Sequence, residues 1–435
     1  MTELTPPRGT RDFLPQEKLL RNSIAQALEK TFQNYGFNPL ETPALENYDI
    51  LASKFAGGSE ILKETYSLED QGKRRLGLRY DLTVPLARVF ASQKLAMPFK
   101  RYAIASVWRD GPVKAGRYRE FTQCDVDAIG VFSVRQDAEL AALAFDAFKA
   151  LGLGVFLKVN NRKLLDGLLD FLGVPLAKRI PVILELDKLE KIGAQGVLKE
   201  MEKTLEPGYA KETIGLFAEL EKEKSLRVVE GMALNEEGKQ GVKELNEFFD
   251  SLEAFGVPKG FAIFSPALAR GLNYYTGVVF EAFLKESEGS EIKSSLAAGG
   301  RYDDLIGRFS GAKEKIPAVG ISFGLDVIAE VLKEKNVELG RKEKKTVVKV
   351  LVVPFKNFAY AIKVSQELRS RGISCLVDLD GKSVSRNLDF ADKQGIPFTV
   401  FCGEQEEKEK KVKMRDMISG KEELVSLPSA LVKLS

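Results

Sequence analysis

Residues Ala269 to Phe283 read ARGLNYYTGVVFEAF and set a guanidinium, two phenols and small residues between two apolar runs. The run ending at Leu268 and the run VVFEAF both have the composition of β-strands. A polar block between two strands is costly in a packed core unless it faces a cleft. Arg270 suits a carboxylate or a phosphate, because its planar fork makes two parallel hydrogen bonds. Tyr274 and Tyr275 suit a small planar ligand, through ring contact and a hydroxyl that donates or accepts.

The rest of the chain supplies the elements around such a cleft. Leu20, Ile24, Leu28 and Phe32 recur every four residues, which predicts an amphipathic helix over 15–34, with Gly36 as its C-cap. An extended segment punctuated by Pro39 and Pro43 follows. Residues 76–90 predict a strand, a polar cluster and a helix, and 99–130 predict a β-hairpin. A helix over 136–151 and the strand VFLKVNN come next. From Arg162 to Phe255 Leu, Glu and Lys dominate at helical spacing, which predicts a helical insertion between two halves of a mixed sheet. Strands resume with GFAIFSPALARGL and VVFEAF, followed by AAGGRYDDLIG and AVGISFGLDVIAEVL. The charged stretch KEKNVELGRKEKKT reads as a linker. Strands alternating with helices beyond it predict a small α/β domain with a largely parallel sheet.

Composition excludes several chemistries. The 435 residues suggest two or three domains, and 44% hydrophobic content is globular. The chain contains no histidine, which removes imidazole bases, His-containing triads and the usual zinc sites. Any metal would be oxygen-bound, which points to Mg²⁺. Cys124, Cys375 and Cys402 are an odd, scattered set and predict no disulfide framework. No signal peptide and no membrane-length apolar run is evident, so a cytoplasmic protein is expected. From Arg341 onward, 19 Lys and Arg oppose 13 Asp and Glu, a basic end that suits a polyanion or a solvated surface.

Two further constellations carry chemistry. In RDGPVKAGRYREF the cations Arg109, Lys114, Arg117 and Arg119 crowd a hairpin loop. Such a loop repels itself unless an anion is present, and polyphosphate is the natural candidate. Phe121 is placed to stack on a base; a plain basic surface hairpin is the alternative. No GxxxxGK[ST] and no GxGxxG before a helix occurs, so neither a P-loop nor a Rossmann site is indicated. Asp81 and Thr83 in LRYDLT, with Gln123 and Asp127 in QCDVD, form the second set. On a strand, Gln123 and Asp127 face the same way, toward something cationic or rich in N–H; solvent-facing strand ends remain possible. In AAGGRYDDLIG, Gly299 and Gly300 permit close backbone approach to a ligand, and a β-turn explains them equally well.

These strings resemble the histidyl-tRNA synthetases, a family of class II aminoacyl-tRNA synthetases. ARGLNYYTG is similar to their histidine-binding signature, and AAGGRYDDLIG to the second such signature. The helix and extended segment near the N-terminus resemble motif 1, RDGPVKAGRYREF motif 2, and PAVGISFGLDVI motif 3. DLDGKSVSRNLDFADKQGIPFTVFCGEQE resembles the anticodon-binding domain shared with prolyl, threonyl and glycyl relatives. The likeness runs from PRGTRDFLP at Pro7 to the end. The LRYDLT and QCDVD forms look closer to the archaeal and eukaryotic branch.

The resemblance implies an α/β fold: a class II antiparallel sheet flanked by helices, with a helical insertion and a C-terminal α/β anticodon-binding domain. It implies a catalytic domain over 1–330 with the insertion at 162–255, a linker over 331–345 and an anticodon-binding domain over 346–435. It implies ligation of L-histidine to tRNA(His) with ATP as substrate and Mg²⁺ as helper, in a homodimer built through motif 1, with no metal held by the protein and no membrane partner. By the same resemblance, Asp81, Thr83 and Gln123 hold the α-amino group, Asp127 and Tyr275 bracket the imidazole, and Leu82 and Tyr274 complete the amino-acid site. Neutral imidazole offers one N–H donor and one acceptor nitrogen, which a carboxylate and a phenol can read. Arg109, Arg117, Phe121, Gly320 and Gly324 line the ATP site, and Arg270 and Arg109 are the catalytic cations. The chain departs from the family at Val327, where an arginine is usual, and at Asn273, where aspartate is common. The first departure keeps open a non-catalytic relative, the regulatory subunit of ATP phosphoribosyltransferase.

Overall fold

The computed structural model describes residues 4–53, 59–113, 116–269, 274–310, 315–335 and 345–434. By compactness the chain divides into two units, Met1–Asp12 with Ile24–Val337, and Phe13–Ser23 with Glu338–Ser435.

The first unit is built on strands β1 (Asn38–Pro39), β2 (Leu45–Asn47), β3 (Ser67–Glu69), β4 (Arg75–Leu78), β5 (Phe99–Trp108), β6 (Glu120–Ile129), β7 (Val155–Asn161), β8 (Ala262–Phe264), β9 (Val278–Leu284), β10 (Ala297–Arg301) and β11 (Ala318–Gly324). Eight of them form one sheet in the order β1-β5-β6-β11-β10-β9-β7-β8, and β2-β4-β3 form a small second sheet. The six inner strands of the large sheet are antiparallel, while β1 and β8 lie parallel to their neighbours.

Strand period two divides this sheet into unlike faces. One face carries Tyr102, Cys124, Val126, Ile321, Phe323, Phe280 and Leu157 in register across the strands. Helices cover it: Phe32 lies 5.5 Å and Phe148 5.4 Å, ring to ring, from Phe323. The opposite face carries Arg101, Gln123, Asp125, Asp127, Gly320, Ser322, Ala298, Gly300 and Asn160 in the same registers. Burial of the first face drives formation of the sheet, and leaves the second free for polar chemistry.

Six helices separate β7 from its parallel neighbour β8: Arg162–Phe171, Leu176–Leu186, Leu189–Met201, Pro207–Glu223, Leu226–Glu230 and Glu236–Ala254. In the first of these, Leu164, Leu165, Leu168 and Leu169 form one buried stripe. Asn161 caps it by accepting from the Lys163 N–H, and Asn235 caps the last by accepting from the Gly238 N–H at 2.8 Å. The first and last helices approach so closely that only glycine fits between them. A methyl group on Gly167 would stand 2.4 Å from Gly238 Cα, and one on Gly241 2.4 Å from the Leu164 nitrogen.

The apolar run ending at Leu268, expected as a strand, is strand only over Ala262–Phe264. Pro266 has no N–H for a ladder, and the carbonyls of Pro266 and Leu268 accept from Asn160 at 2.8 and 3.0 Å instead.

The second unit holds β12 (Val350–Phe355), β13 (Cys375–Val377), β14 (Phe398–Gly403), β15 (Lys411–Asp416) and β16 (Glu422–Ser426), in the order β13-β12-β14-β15-β16. The first three are parallel, as their alternation with helices Phe358–Ser370 and Val384–Gln394 requires. β15 and β16 are antiparallel, so the sheet is mixed rather than largely parallel. Val350, Val352, Val364, Val400 and Val412 pack on one side, and Leu351, Val353, Ala391 and Ile396 on the other.

Gly241→Ala is expected to destabilise the protein by about 1–3 kcal/mol, because its methyl meets backbone that cannot yield. Thermal or urea unfolding measures this; wild-type stability in the variant would show that the two helices separate freely.

Candidate functional site

The site grows from the polar face of the large sheet. β6 presents Gln123, Asp125 and Asp127 on that face, opposite Gly324, Ser322 and Gly320 of β11. Gly320 is small because Asp127 needs the room: a methyl there would stand 2.0 Å from Asp127 Oδ1. Gly320 is therefore placed against the carboxylate rather than on an open ATP wall. Gly299 and Gly300 lie inside β10, not in a turn. A methyl on Gly299 would stand 2.0 Å from the Gly320 carbonyl oxygen, and one on Gly300 2.6 Å from that of Val278. Their smallness admits neighbouring strands, and Gly300 also admits the Tyr275 ring. Gly324, at the end of β11, donates its N–H to Leu296 and lies beside Val327.

Asp127 is 3% exposed and tightly held. Its Oδ1 accepts from the Tyr302 hydroxyl, and its Oδ2 lies 2.6 Å from Arg101 Nη2. Burial pushes its carboxyl up, and the Arg101 charge and Tyr302 hydroxyl oppose this. Tyr302 is raised well above the ordinary phenol by burial and by Asp127. Arg101 also donates to the Leu82 carbonyl at 3.0 Å, which ties the segment Asp81–Thr83 to the sheet. Thr83 opens the helix Thr83–Ser92, and Asp81 Oδ1 accepts from the Val84 N–H at 3.0 Å. Burial raises the Asp81 carboxyl, against the lowering effect of that N–H and of Arg109.

Asp125 was not among the expected site residues, although it lies between Gln123 and Asp127. Burial, with repulsion from Asp127 and Asp81, pushes it up to about 7 against the pull of Arg101. Arg101, Tyr302, Ser322 and Asn160 were missed as well. The alternation that aligns Gln123 with Asp127 passes through Asp125, so that residue was legible. Arg101 and Ser322 join the face only through strand register, and Tyr302 only by the fold.

Arg109 follows β5 immediately. It donates from Nε to the Tyr80 carbonyl at 2.9 Å, and its guanidinium lies 5.1 Å from the centre of the Phe121 ring. One face of Phe121, expected to stack on a base, is thus beside Arg109. Burial pushes the Arg109 guanidinium below its ordinary value, and Asp81 and Tyr274 counteract this. The hairpin loop is less self-repelling than its sequence suggests. Arg117 pairs with Glu64 at 2.9 Å and Arg119 with Asp110 at 3.1 Å. Lys114 lies outside the described residues.

Tyr274 and Tyr275 stand 4.8 Å apart, ring to ring, and Tyr274 meets Tyr302 edge-on at 5.8 Å. The structure thus brings Tyr274 and Tyr275 to the Asp127–Tyr302 pair. Arg270 and Asn273 lie outside the described residues. The segment before them is fixed by Asn160, and by Glu221, which accepts from Ser265 Oγ and the Ala267 N–H. Among the described residues, no group of three or more His, Cys, Asp or Glu side chains is placed to hold a metal ion. The arrangement offers buried acceptors at one end and a half-buried guanidinium beside an aromatic ring at the other. It suits an ammonium next to a phosphate.

The family model described as histidyl-tRNA synthetase matches residues 9–328, and the anticodon binding domain model matches 349–435. Histidine–tRNA ligase 1 of Bacillus cereus is 43% identical over 439 residues, spanning 98% of this chain and 96% of that protein. The crystal structure of histidyl-tRNA synthetase from Nostoc sp. PCC 7120 matches with a TM-score of 0.82 at 32% identity, over 100% of this chain and 99% of that one. An ATP phosphoribosyltransferase regulatory subunit/histidyl-tRNA synthetase from Bacillus halodurans C, at 22% identity and a TM-score of 0.75 over 93% of this chain and 99% of that one, shares the fold. Relatives from Bacillus, Wolinella and Christiangramia, 36–43% identical, are bacterial. They give no support to the archaeal or eukaryotic likeness expected from LRYDLT and QCDVD. A few residues lining one site report what it binds rather than descent.

The raised Asp125 carboxyl predicts a pH-dependent cost to the folded, ligand-free protein. Between the ordinary value of 3.8 and about 7 the folded state holds this proton more tightly than the unfolded state, so the group's contribution falls as pH rises. Asp125→Asn removes that contribution. Its melting temperature relative to wild type is expected to rise from pH 4 to a plateau above pH 7, and a pH-independent difference would contradict the assignment.

Proposed function

The chain belongs to the histidyl-tRNA synthetase family, and from that premise we propose that it ligates L-histidine to tRNA(His) through a histidyl-adenylate formed from ATP. The observation that carries this reading is the single polar face on which buried acceptors stand in line with Arg109. In the first step a carboxylate oxygen of histidine attacks the α-phosphorus of ATP, the bond to the β-phosphate oxygen breaks, and pyrophosphate leaves. Arg109, from the end of β5, stabilises the charge that builds on the α-phosphate, and we assign Arg270 the same task from the other side. Asp81, Leu82, Thr83 and Gln123 surround the α-amino group. Asp127, with Tyr302 and Arg101 fixing its orientation, reads the imidazole together with Tyr275, and Tyr274 packs beside them. A ligand lacking the imidazole N–H or its acceptor nitrogen leaves a buried partner unpaired, which is a strong source of rejection.

Phe121, Arg117 and Gly324 are assigned to the ATP side. For Gly320, Gly299 and Gly300 we favour the packing roles their neighbours support. Mg²⁺ fits as an ion carried by the triphosphate, where it would neutralise phosphate charge; the described side chains do not make a cage for it, and no step depends on it here. In the second step the terminal ribose hydroxyl of the tRNA attacks the histidyl carbonyl carbon and AMP leaves. No protein imidazole is available as base, so a phosphate oxygen of the adenylate takes the hydroxyl proton.

We divide the chain into a catalytic domain with its helical insertion at 162–255, a linker that begins after the helix Leu325–Glu334, and an anticodon-binding domain from about residue 346. In the latter, Phe355, Phe358 and Leu379 are exposed beside Lys356 and Lys382, a set that suits stacked bases and a phosphate backbone. Dimerisation through the motif 1 segment and a cytoplasmic location belong to the same proposal. Among the described residues no helix is long and apolar enough to cross a membrane.

Val327 lies against Gly116 and Gly324. Its lack of charge there favours one rival, a non-catalytic regulatory role. ATP–pyrophosphate exchange with each amino acid in turn separates the two: exchange with histidine alone is expected, and none with any amino acid would favour the rival. Arg109→Ala and Arg270→Ala are each expected to lower exchange by about 10²–10³-fold or more while tRNA binding persists. Exchange at the wild-type rate in Arg270→Ala would place the catalytic cation elsewhere.

A further inference from the structure

Asp125 sits on the site wall without a task in the mechanism above. It is 3% exposed, faces the site between Gln123 and Asp127, and has the Ser322 hydroxyl as its near neighbour on β11. Its Oδ1 is buried and has no hydrogen-bond donor among the described residues. Asp81 Oδ2 and Gln123 Oε1 of this wall share that condition and have, among the described residues, no cation paired with them, whereas Asp127 Oδ2, also without a hydrogen bond, lies 2.6 Å from Arg101 Nη2. Asp127 differs, since one of its oxygens takes the Tyr302 hydroxyl and the other the Arg101 charge. Arg101 also holds the Leu82 carbonyl, so the segment carrying Asp81 is tied to the same part of the sheet as Asp125.

Three buried acceptors that lack donors, two of them carboxylates, call for a ligand group with three N–H donors and a positive charge. An α-ammonium is such a group, whereas a neutral amide or an anion is not. We infer that Asp125 is a further specificity-determining residue: it completes with Asp81 and Gln123 a tripod for the α-ammonium of the amino acid, and it releases a proton to solvent as that group binds. This deepens the amino-acid-activating reading and rests on it.

The surrounding charges explain the coupling. Arg101 of β5 is engaged by Asp127, its neighbour on β6. Asp127 and Asp81 both repel a charged Asp125, while the Arg101 charge and a hydrogen bond from the Ser322 hydroxyl of β11 favour it without offsetting burial. Arg79, which also feels Asp125, is fixed on the carbonyls of Ser106 and Thr42 at 3.0 and 2.6 Å. With burial added, Asp125 is pushed up to about 7, so near neutral pH part of the ligand-free protein carries its proton. The arriving ammonium supplies the missing positive charge. The carboxylic acid becomes a carboxylate paired with it, and one proton leaves to solvent for each site that was protonated.

Proton release on binding, measured by calorimetry at pH 7 in two buffers of different ionisation enthalpy, tests this. Release by wild type is set against release by Asp125→Asn with the same ligand, histidine, so that the ligand's own imidazole contributes equally to both; 3-(imidazol-4-yl)propionate, which lacks the α-amine, serves only as an affinity control. Wild type is expected to release about half a proton more than Asp125→Asn on binding histidine, and equal release would overturn the inference. In histidine-dependent exchange, Asp125→Asn is expected to raise KM for histidine about tenfold or more, with kcat within about threefold and with a flatter pH dependence of KM between pH 6 and 8. Binding of the analogue should be unchanged. Equal weakening of both ligands would mark Asp125 as merely structural and overturn the proposal, as would an unaltered KM and pH profile. Wild-type protein that exchanges with no amino acid would instead overturn the adenylation reading itself.

Discussion

Arg101 is the point on which the site depends. Its side chain is 1% exposed, so its charge must be met inside the protein. It lies 2.6 Å from Asp127 and donates to the Leu82 carbonyl at 3.0 Å. Those two contacts join a strand of the large sheet to the loop that opens the helix Thr83–Ser92. Removing one partner of such a buried pair typically costs about 3–5 kcal/mol, because the other charge is left uncompensated. The placement of Asp81 relative to the β6 carboxylates depends on this guanidinium, with Arg79 on the Ser106 carbonyl and Arg109 on the Tyr80 carbonyl holding the same segment to β5 and its end.

A second buried pair stabilises the opposite side of the same sheet. Arg301, at the end of β10, meets Asp137 of the helix Arg135–Ala150, and also donates to the carbonyls of Val131 and Ser133 at 3.1 Å each. Burial pushes Asp137 up to about 6 in spite of that partner. One pair thus fastens a helix to the apolar face, and the other fastens a loop to the polar face. Between them the sheet is a rigid plate with a dry side and a reactive side. On such a plate catalysis without histidine is intelligible. On the proposed reading the work is positional and electrostatic, assigned to guanidinium groups and buried acceptors, and needs no side chain that itself titrates as a general base.

Much of this was legible from residue spacing. The paired Gln123 and Asp127, the basic hairpin with Arg109 and Phe121, and the strand–helix junction at Asp81 fall where their local pattern puts them, because each is governed by period two or by a turn. The expectation failed where a local pattern met a distant partner. Pro266 and the side chain of Asn160 turn an apolar run into a short strand and a loop. The alternation Val412, Met414 lies in a charged stretch that hides β15 and β16, so the sequence alone predicts a largely parallel second sheet where the fold is mixed. Gly299 and Gly300 read as ligand-approach glycines and Gly320 as an ATP-site residue, yet their neighbours are strands, a tyrosine ring and a carboxylate.

The sequence by itself determined the elements, their order and the kinds of side chain available to the chemistry, since propensity, alternation and charge are properties of neighbours along the chain. Tertiary structure alone decided which of them meet. Arg101, Tyr302 and Ser322 are far from one another or from Asp127 in sequence, and come together through strand register and burial. Whether Asp125 holds its proton is decided the same way. Its charge is set by the carboxylates, guanidinium groups and excluded water that folding places around it, none of which its own sequence neighbourhood contains except Asp127.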